Sequence, residues 1–215
     1  MSLLKECSMS LYSIVRKVRS GFSRCARRMC SAGVEKPVFD RFSGGAEYGS
    51  HFIPLAFACS ITSGPVLELG CGDYSTPLLH VLCSLHGRQV MTFDTDKNWL
   101  ELFEPLQSEM HTLHYVPVYE DDWAKNPRPE QWDQISIPEC RWGVVFVDHR
   151  PGERRRIDIS RFKDKAELIV VHDSQESSYG YEEVFRDFRY RLDYKRFPTW
   201  TTIVSQDIDV SRYVF

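Results

Sequence analysis

The 215-residue chain has no run of about 18 apolar residues, so a membrane-spanning helix is not expected. Its longest apolar stretch, Phe52 to Ile61, is too short and carries Pro54. No two of its seven cysteines (positions 7, 25, 30, 59, 71, 83 and 140) form a CxxC pair, and the count is odd. That argues against a disulfide framework or a tetrahedral zinc site and for a reducing interior. Internal repeats and low-complexity segments are missing too. Acids are scarce at one end: residues 1–33 hold seven Lys/Arg against Glu6 alone, a net +6. The remainder carries 20 basic and 29 acidic residues, a net −9. Polyanion affinity rests on clustered cations, so such a body predicts no nucleic-acid partner. With 42% hydrophobic and 27% charged residues, a packed core is expected rather than global disorder.

Within the basic segment Leu4, Leu11, Val15, Val18 and Phe22 fall on one helical face. Three readings stay open: a mitochondrial presequence; a helix on an anionic membrane surface, with Cys7 as an acylation site; or a plain disordered tail. Charges interrupt every candidate secretory core. The expected organisation is a tail over residues 1–33 and a catalytic domain over 34–215. The expected location is intracellular: cytoplasmic, or mitochondrial or membrane-peripheral if the tail is a targeting segment.

From there strands and helices alternate. A helix is expected around His51–Thr62, stopped by Gly64-Pro65, then a strand at Val66–Leu69 and a helix at Ser75–Leu85. Strands follow at Gln89–Phe93 and Thr112–Val118, with a helix at Asn98–Leu106 between them. A polar loop over Glu120–Cys140 leads to the apolar strand Trp142–Val147. A short helix at Glu153–Phe162 with an Arg-rich exposed side, a strand at Glu167–Val171 and a helix at Tyr181–Tyr190 come next. Leu192–Phe197 and Thr201–Ser205 close the chain as an antiparallel pair. The pattern predicts an α/β fold: a doubly wound, mostly parallel, seven-stranded sheet.

Such sheets bind ligands beyond the carboxyl ends of their strands. Here every strand end carries an acid or a glycine turn. The first is Glu68-Leu-Gly70-Cys71-Gly72-Asp-Tyr-Ser75, where the glycines admit positive φ and close ligand approach. Ser75 stands where a dinucleotide fingerprint has its third glycine, and Asp94 lies at the ribose-binding distance. A carboxylate at Glu68 would repel a pyrophosphate and suit a cationic cofactor. Asp96 is the expected cap of the helix that follows Asp94.

Val66 to Ser75 resembles motif I of class I S-adenosylmethionine-dependent methyltransferases, an acid followed by x-Gly-x-Gly. The resemblance spans residues 64–175. It implies a Rossmann-like methyltransferase fold with S-adenosylmethionine as cofactor, held by Glu68, Gly70, Cys71, Gly72 and Ser75. It also implies ribose contacts from Asp94 and adenine contacts from Asp121 or Asp122. Asp148 matches the acid that ends strand four.

On the acceptor side Asp148-His149-Arg150 and His172-Asp173-Ser174 end adjacent strands and should face one crevice. Asp148, His149, His172 and Asp173 are the candidate catalytic residues. Either histidine could take a hydroxyl proton, or Asp148 and Asp173 could share a divalent metal. Catechol-type enzymes place Asp-Asn after strand five; Ser174 departs from that, so metal-free base catalysis is the expectation. Arg154 to Arg156 offer either a solvated face or an anion clamp. Trp123, Trp132, Tyr179, Tyr181 and Trp200 are candidate rim aromatics. The stretch Val147 to Arg154, with Val171-His172-Asp173, is similar to plant glucuronoxylan O-methyltransferases, although their longer loop is missing. It implies a small or glycan acceptor. The expected activity is therefore O-methylation. The alternatives are an NAD(P)-binding oxidoreductase or a non-catalytic cofactor-binding protein tethered by its basic tail.

Overall fold

The computed structural model describes residues 49–117 and 129–214. Seven strands form one sheet: β1 Val66–Leu69, β2 Val90–Asp94, β3 His111–Tyr115, β4 Trp142–Val147, β5 Ala166–His172, β6 Tyr190–Tyr194 and β7 Thr201–Ser205. Their order is β3-β2-β1-β4-β5-β7-β6. The first five pair in parallel, and β7 inserts antiparallel between β5 and β6. This is the α/β Rossmann-like methyltransferase fold that the resemblance implied.

Side-chain alternation sorts the strands into two cores. Val66, Val144, Phe146, Leu168, Val170 and Ile203 pack under helices α1 (Phe52–Ile61) and α2 (Thr76–Leu85). Leu67, Leu69, Val145, Val147, Ile169, Val171 and Val204 pack on the opposite face. That face is covered by α4 (Arg155–Phe162), α5 (Tyr181–Phe185) and Trp132. The short helix α3 (Lys97–Glu101) follows β2, and Asp96 caps it, accepting from the Trp99 amide at 3.0 Å.

Helix α1 runs antiparallel to the strands, so its first residues lie at the sheet's carboxyl edge. Its far end is fixed by buried Arg88. The guanidinium donates to the carbonyls of Cys59 (2.8 Å), Thr62 (3.2 Å) and Gly64 (2.7 Å), acceptors the helix itself leaves unpaired.

Several boundaries differ from expectation. The helix expected over Asn98–Leu106 is α3 plus a separate 3-10 turn at Glu104–Leu106, where Pro105 cannot extend the first ladder. The helix expected over Tyr181–Tyr190 ends at Phe185, and Tyr190 opens β6 instead. Lone turns at Asp187 and Phe188, bonded to Val184 and Phe185, break the register. No helix among the described residues is long and apolar enough to cross a membrane. The basic segment 1–33, Asp121, Asp122 and Trp123 lie outside the described residues.

Candidate active site

The turn after β1 is built by close packing. Gly70 has φ +93°, and a Cβ there would meet the Asp148 backbone at 2.7 Å. Only glycine suits this point, where the ends of β1 and β4 touch. Gly72 differs. Its φ is not positive, and an added Cβ would meet only Ser75 Oγ at 3.4 Å, an ordinary contact. The fold therefore does not require glycine at 72, and the space above it is open. Asp94 flanks the turn: its Oδ2 accepts from the Cys71 amide and its Oδ1 from the Asp96 amide, each at 2.8 Å. Burial raises its carboxyl above the usual range. Burial, with Asp94 adding to it, also pushes up the Cys71 thiol, which therefore stays protonated.

Glu68 does not lie in the turn as an exposed ligand; it is buried beneath it. Position 68 shares the strand face of Val66 and so points under α2. Its carboxylate accepts from Thr76 Oγ1 (3.1 Å) and Thr92 Oγ1 (2.7 Å). Thr76 Oγ1 in turn accepts from the Gly72 amide at 2.9 Å, so Glu68 holds the turn through a hydroxyl. Burial raises its carboxyl to about 7, although the hydroxyls of Ser75, Thr92 and Thr76 oppose that. Ser75, also buried, is thus a hydrogen-bond partner of Glu68. Behind Thr92 the polar chain continues through His111 (2.9 Å) to His80 (3.2 Å).

Across the turn the ends of β4 and β5 form a charged cluster. Asp148 Oδ1 is 3.2 Å from His172 Nδ1 and 3.0 Å from Arg155 Nη2. Arg155, from the start of α4, also reaches Asp173 Oδ2 (3.1 Å) and the carbonyls of Asp148, His149 and His172. One guanidinium fork therefore locks both strand ends. Asp173 sits at φ +55°, in the left-handed region. Burial would raise Asp148, but the His172 and Arg155 charges outweigh it and hold the carboxyl well below the usual range. His172 moves the other way, raised by Asp148 against the effect of burial. Its Nε2 is 3.1 Å from Ser50 Oγ, which lies 3.3 Å from Thr201 Oγ1.

His51 belongs to this cluster although the sequence did not single it out. Its ring meets His172 edge-on at 4.6 Å between centroids. Burial, with the nearby His172 charge adding to it and Asp148 opposing, lowers its pKa to about 3, so the ring is neutral. Both ring nitrogens are buried without a hydrogen-bond partner among the described residues. The missed signal was positional. In a helix that runs back along the sheet, the first residue reaches the same edge as the strand ends.

His149, expected in the crevice, is not in this cluster. It lies fully buried against Trp132, with Nε2 3.1 Å from Asp158 Oδ2. Alternation along the chain turns residue 149 away from the side that 148 faces. Asp158 also pairs with Arg154 at 2.8 Å. Arg154 and Arg155 are both buried, Arg154 against Asp158 and Arg155 against Asp148 and Asp173, which corrects the expected Arg-rich exposed side for these two; Arg156 is exposed. Of the expected rim aromatics, Trp132 and Tyr181 are core residues instead; the Trp132 indole donates to the Arg150 carbonyl at 2.7 Å.

No protein-family model matches the chain, and no curated protein matches it in sequence. Solved structures are similar to it at low identity. A mutant of MtNAS in complex with S-adenosylmethionine shares 13% identity at a TM-score of 0.47, covering 95% of this chain and 80% of that one. A putative RNA methyltransferase from Pyrococcus horikoshii shares 15% at 0.46, covering 75% and 84%. The METTL16 methyltransferase domain shares 13% at 0.46, covering 69% of this chain, which spans 61% of that domain.

Proposed function

We propose that the chain is an S-adenosylmethionine-dependent methyltransferase acting on a hydroxyl of a small or sugar-type acceptor. The observation that carries this reading is the Asp148–His172 pair, pinned by Arg155 and in backbone contact with the Gly70 turn. A donor cradle and a proton-accepting pair thus share one edge of the sheet. The cradle suits the donor. The space above Gly72 is not needed by the fold, and the Asp94 carboxylate borders it. Gly70, Cys71 and Gly72 would face the donor's chain, Asp94 its sugar, and Ser75 and Glu68 would hold the turn from below.

The donor supplies an electrophilic methyl carbon on a sulfonium. Asp148 and His172 stand where the acceptor's hydroxyl proton must go as its oxygen takes that carbon and the carbon–sulfur electron pair returns to sulfur. Arg155 keeps the pair oriented, which is positioning rather than chemistry.

A nicotinamide enzyme is the rival reading. The inserted antiparallel β7 and the buried Ser75 at the third glycine's place speak against it. The burial of Glu68, its carboxyl raised to about 7, weakens the charge argument against a pyrophosphate, so calorimetry has to decide. Titration with S-adenosylhomocysteine should give a one-to-one isotherm, and Asp94→Ala should weaken it at least about tenfold, the loss of one good charged hydrogen bond. Binding of NADH instead would overturn the cofactor. Transfer of labelled methyl groups to a panel of hydroxy acids, phenols and uronic sugars then tests the acceptor. RNA is included in the panel because one structural neighbour is described as a putative RNA methyltransferase. Label found only in RNA would overturn the acceptor class.

In this reading residues 1–33 serve location. Deleting them should leave transfer intact and move a fluorescent fusion; loss of folding would refute that.

A further inference from the structure

We propose that His51, Asp148 and His172 form a binding site for one divalent first-row transition-metal ion. One ligand atom from each lies within 4.8 Å of the others. The Asp148–His172 separation of 3.2 Å already matches neighbouring ligands on an ion with bonds of about 2.0–2.2 Å.

The strongest observation is His51 itself. A buried imidazole with both nitrogens unpaired carries a desolvation cost that a filler residue would avoid. Phenylalanine would stack equally well on Phe146, whose ring centroid is 4.9 Å away. The orphaned nitrogens stand beside a carboxylate and a second imidazole, the surroundings a metal ligand has. His172 fits the same role. In the tautomer that donates Nε2–H to Ser50 Oγ, its Nδ1 turns a lone pair toward Asp148 Oδ1 at 3.2 Å, and Ser50 and Thr201 form the outer support that orients ligating histidines.

The donor set selects the ion. Two imidazoles and one carboxylate suit zinc, iron, cobalt or manganese, whereas magnesium and calcium want oxygen throughout. Three protein ligands leave positions open, as in catalytic sites. The side chain of Asp148 is 24% exposed, which gives the opening. This set differs from the Asp148–Asp173 pair weighed from sequence: Arg155 bridges both carboxylates, at 3.0 Å from Asp148 and 3.1 Å from Asp173, and the two imidazoles stand in place of Asp173 as ligands. The ion's use rests on the methyl-transfer reading: bound there, it would make the acceptor hydroxyl acidic, and Asp148 Oδ2, rather than the His172 ring, would then take the proton. The site itself does not depend on that reading, so it is tested without donor.

The full chain is stripped with chelator and titrated with Zn2+ by calorimetry and with Co2+ by visible absorption. One equivalent should bind, with cobalt d–d bands showing nitrogen–oxygen ligation. His51→Phe should keep or raise the melting temperature and weaken binding about 100-fold or more, beyond the usual cost of losing an outer partner. Asp148→Asn should weaken it similarly, and His80→Gln should leave it unchanged. The proposal is overturned if the wild type takes up no stoichiometric ion, or if His51→Phe binds as tightly. S-adenosylhomocysteine titrated into the stripped protein separates this outcome from the donor reading: binding there with no metal uptake removes only the metal.

Discussion

At the scale of single residues, two positions in one turn carry opposite constraints. Gly70 is fixed by packing against Asp148, Gly72 by nothing the fold contains. Gly70→Ala should cost at least about 2 kcal/mol, since positive φ alone costs about 1–2 kcal/mol and the backbone contact adds to it. Gly72→Val should leave urea denaturation nearly unchanged and abolish S-adenosylhomocysteine binding. The sequence made both glycines legible but gave Gly72 the wrong reason, since its φ is not positive. Glu68 was misplaced for a related cause. A strand buried on both faces has no polar alternation, so nothing in Val66–Leu69 shows which face position 68 takes. Its burial has a pH consequence. The carboxyl titrates near 4.5 when unfolded and about 7 when folded, so the folded state holds the proton more tightly. The associated stability is present below pH 4.5 and is lost as pH rises to about 7. Glu68→Gln lacks this dependence. Asp94 and His111 nearby are common to both proteins, so their titration largely cancels in the comparison. In donor-free denaturation, wild type should therefore lose roughly 2–4 kcal/mol relative to Glu68→Gln between pH 4.5 and 7.5. Parallel pH curves for the two proteins would refute this.

At the scale of elements, helix α1 decides how the site closes. Its ten residues are almost wholly apolar and its location was legible, but its contribution was not. Strand ends announce themselves with acids, whereas a helix that begins at the same edge offers only Ser50-His51 ahead of an apolar run. That end is held locally by Ser50, which contacts His172 and Thr201, and the helix's other end, about 15 Å away, is held by Arg88. Its guanidinium satisfies carbonyls that would otherwise be buried and unpaired. Arg88→Met keeps much of the stem's packing and removes those bonds. It should destabilise by roughly 2–4 kcal/mol in urea, the cost of several orphaned acceptors. Because α1 then loses the anchor at its far end, the loss should extend along the helix to His51, and cobalt affinity should fall with stability. A fall in stability alone would mean that contacts near Ser50 suffice to place the ring.

At the scale of the molecule, the two cores are not independent. Val144 and Phe146 serve one and Val145 and Val147 the other, all from a single strand, so neither layer can melt without exposing the back of the sheet. The apolar runs at β4 and β5 revealed this double coverage in advance. The place of β7 was not legible. Thr201–Ser205 was recognisable as half of an antiparallel pair, but its insertion beside β5 depends on the register Ile169↔Val204 to His172↔Thr201, a contact no local pattern encodes. Shared strands imply one cooperative transition. Leu78→Ala, in the core under α1 and α2, should cost about 2–5 kcal/mol. Trp132 and Trp142, two of the chain's five tryptophans, lie in the opposite core, and a background with Trp99, Trp123 and Trp200 replaced by Phe lets fluorescence report on it. If the sheet couples the layers, the Leu78→Ala fluorescence transition must move to lower urea by the same amount as the circular dichroism transition. A tryptophan signal that stayed at the wild-type midpoint while the helical signal moved would mean that the two faces unfold separately.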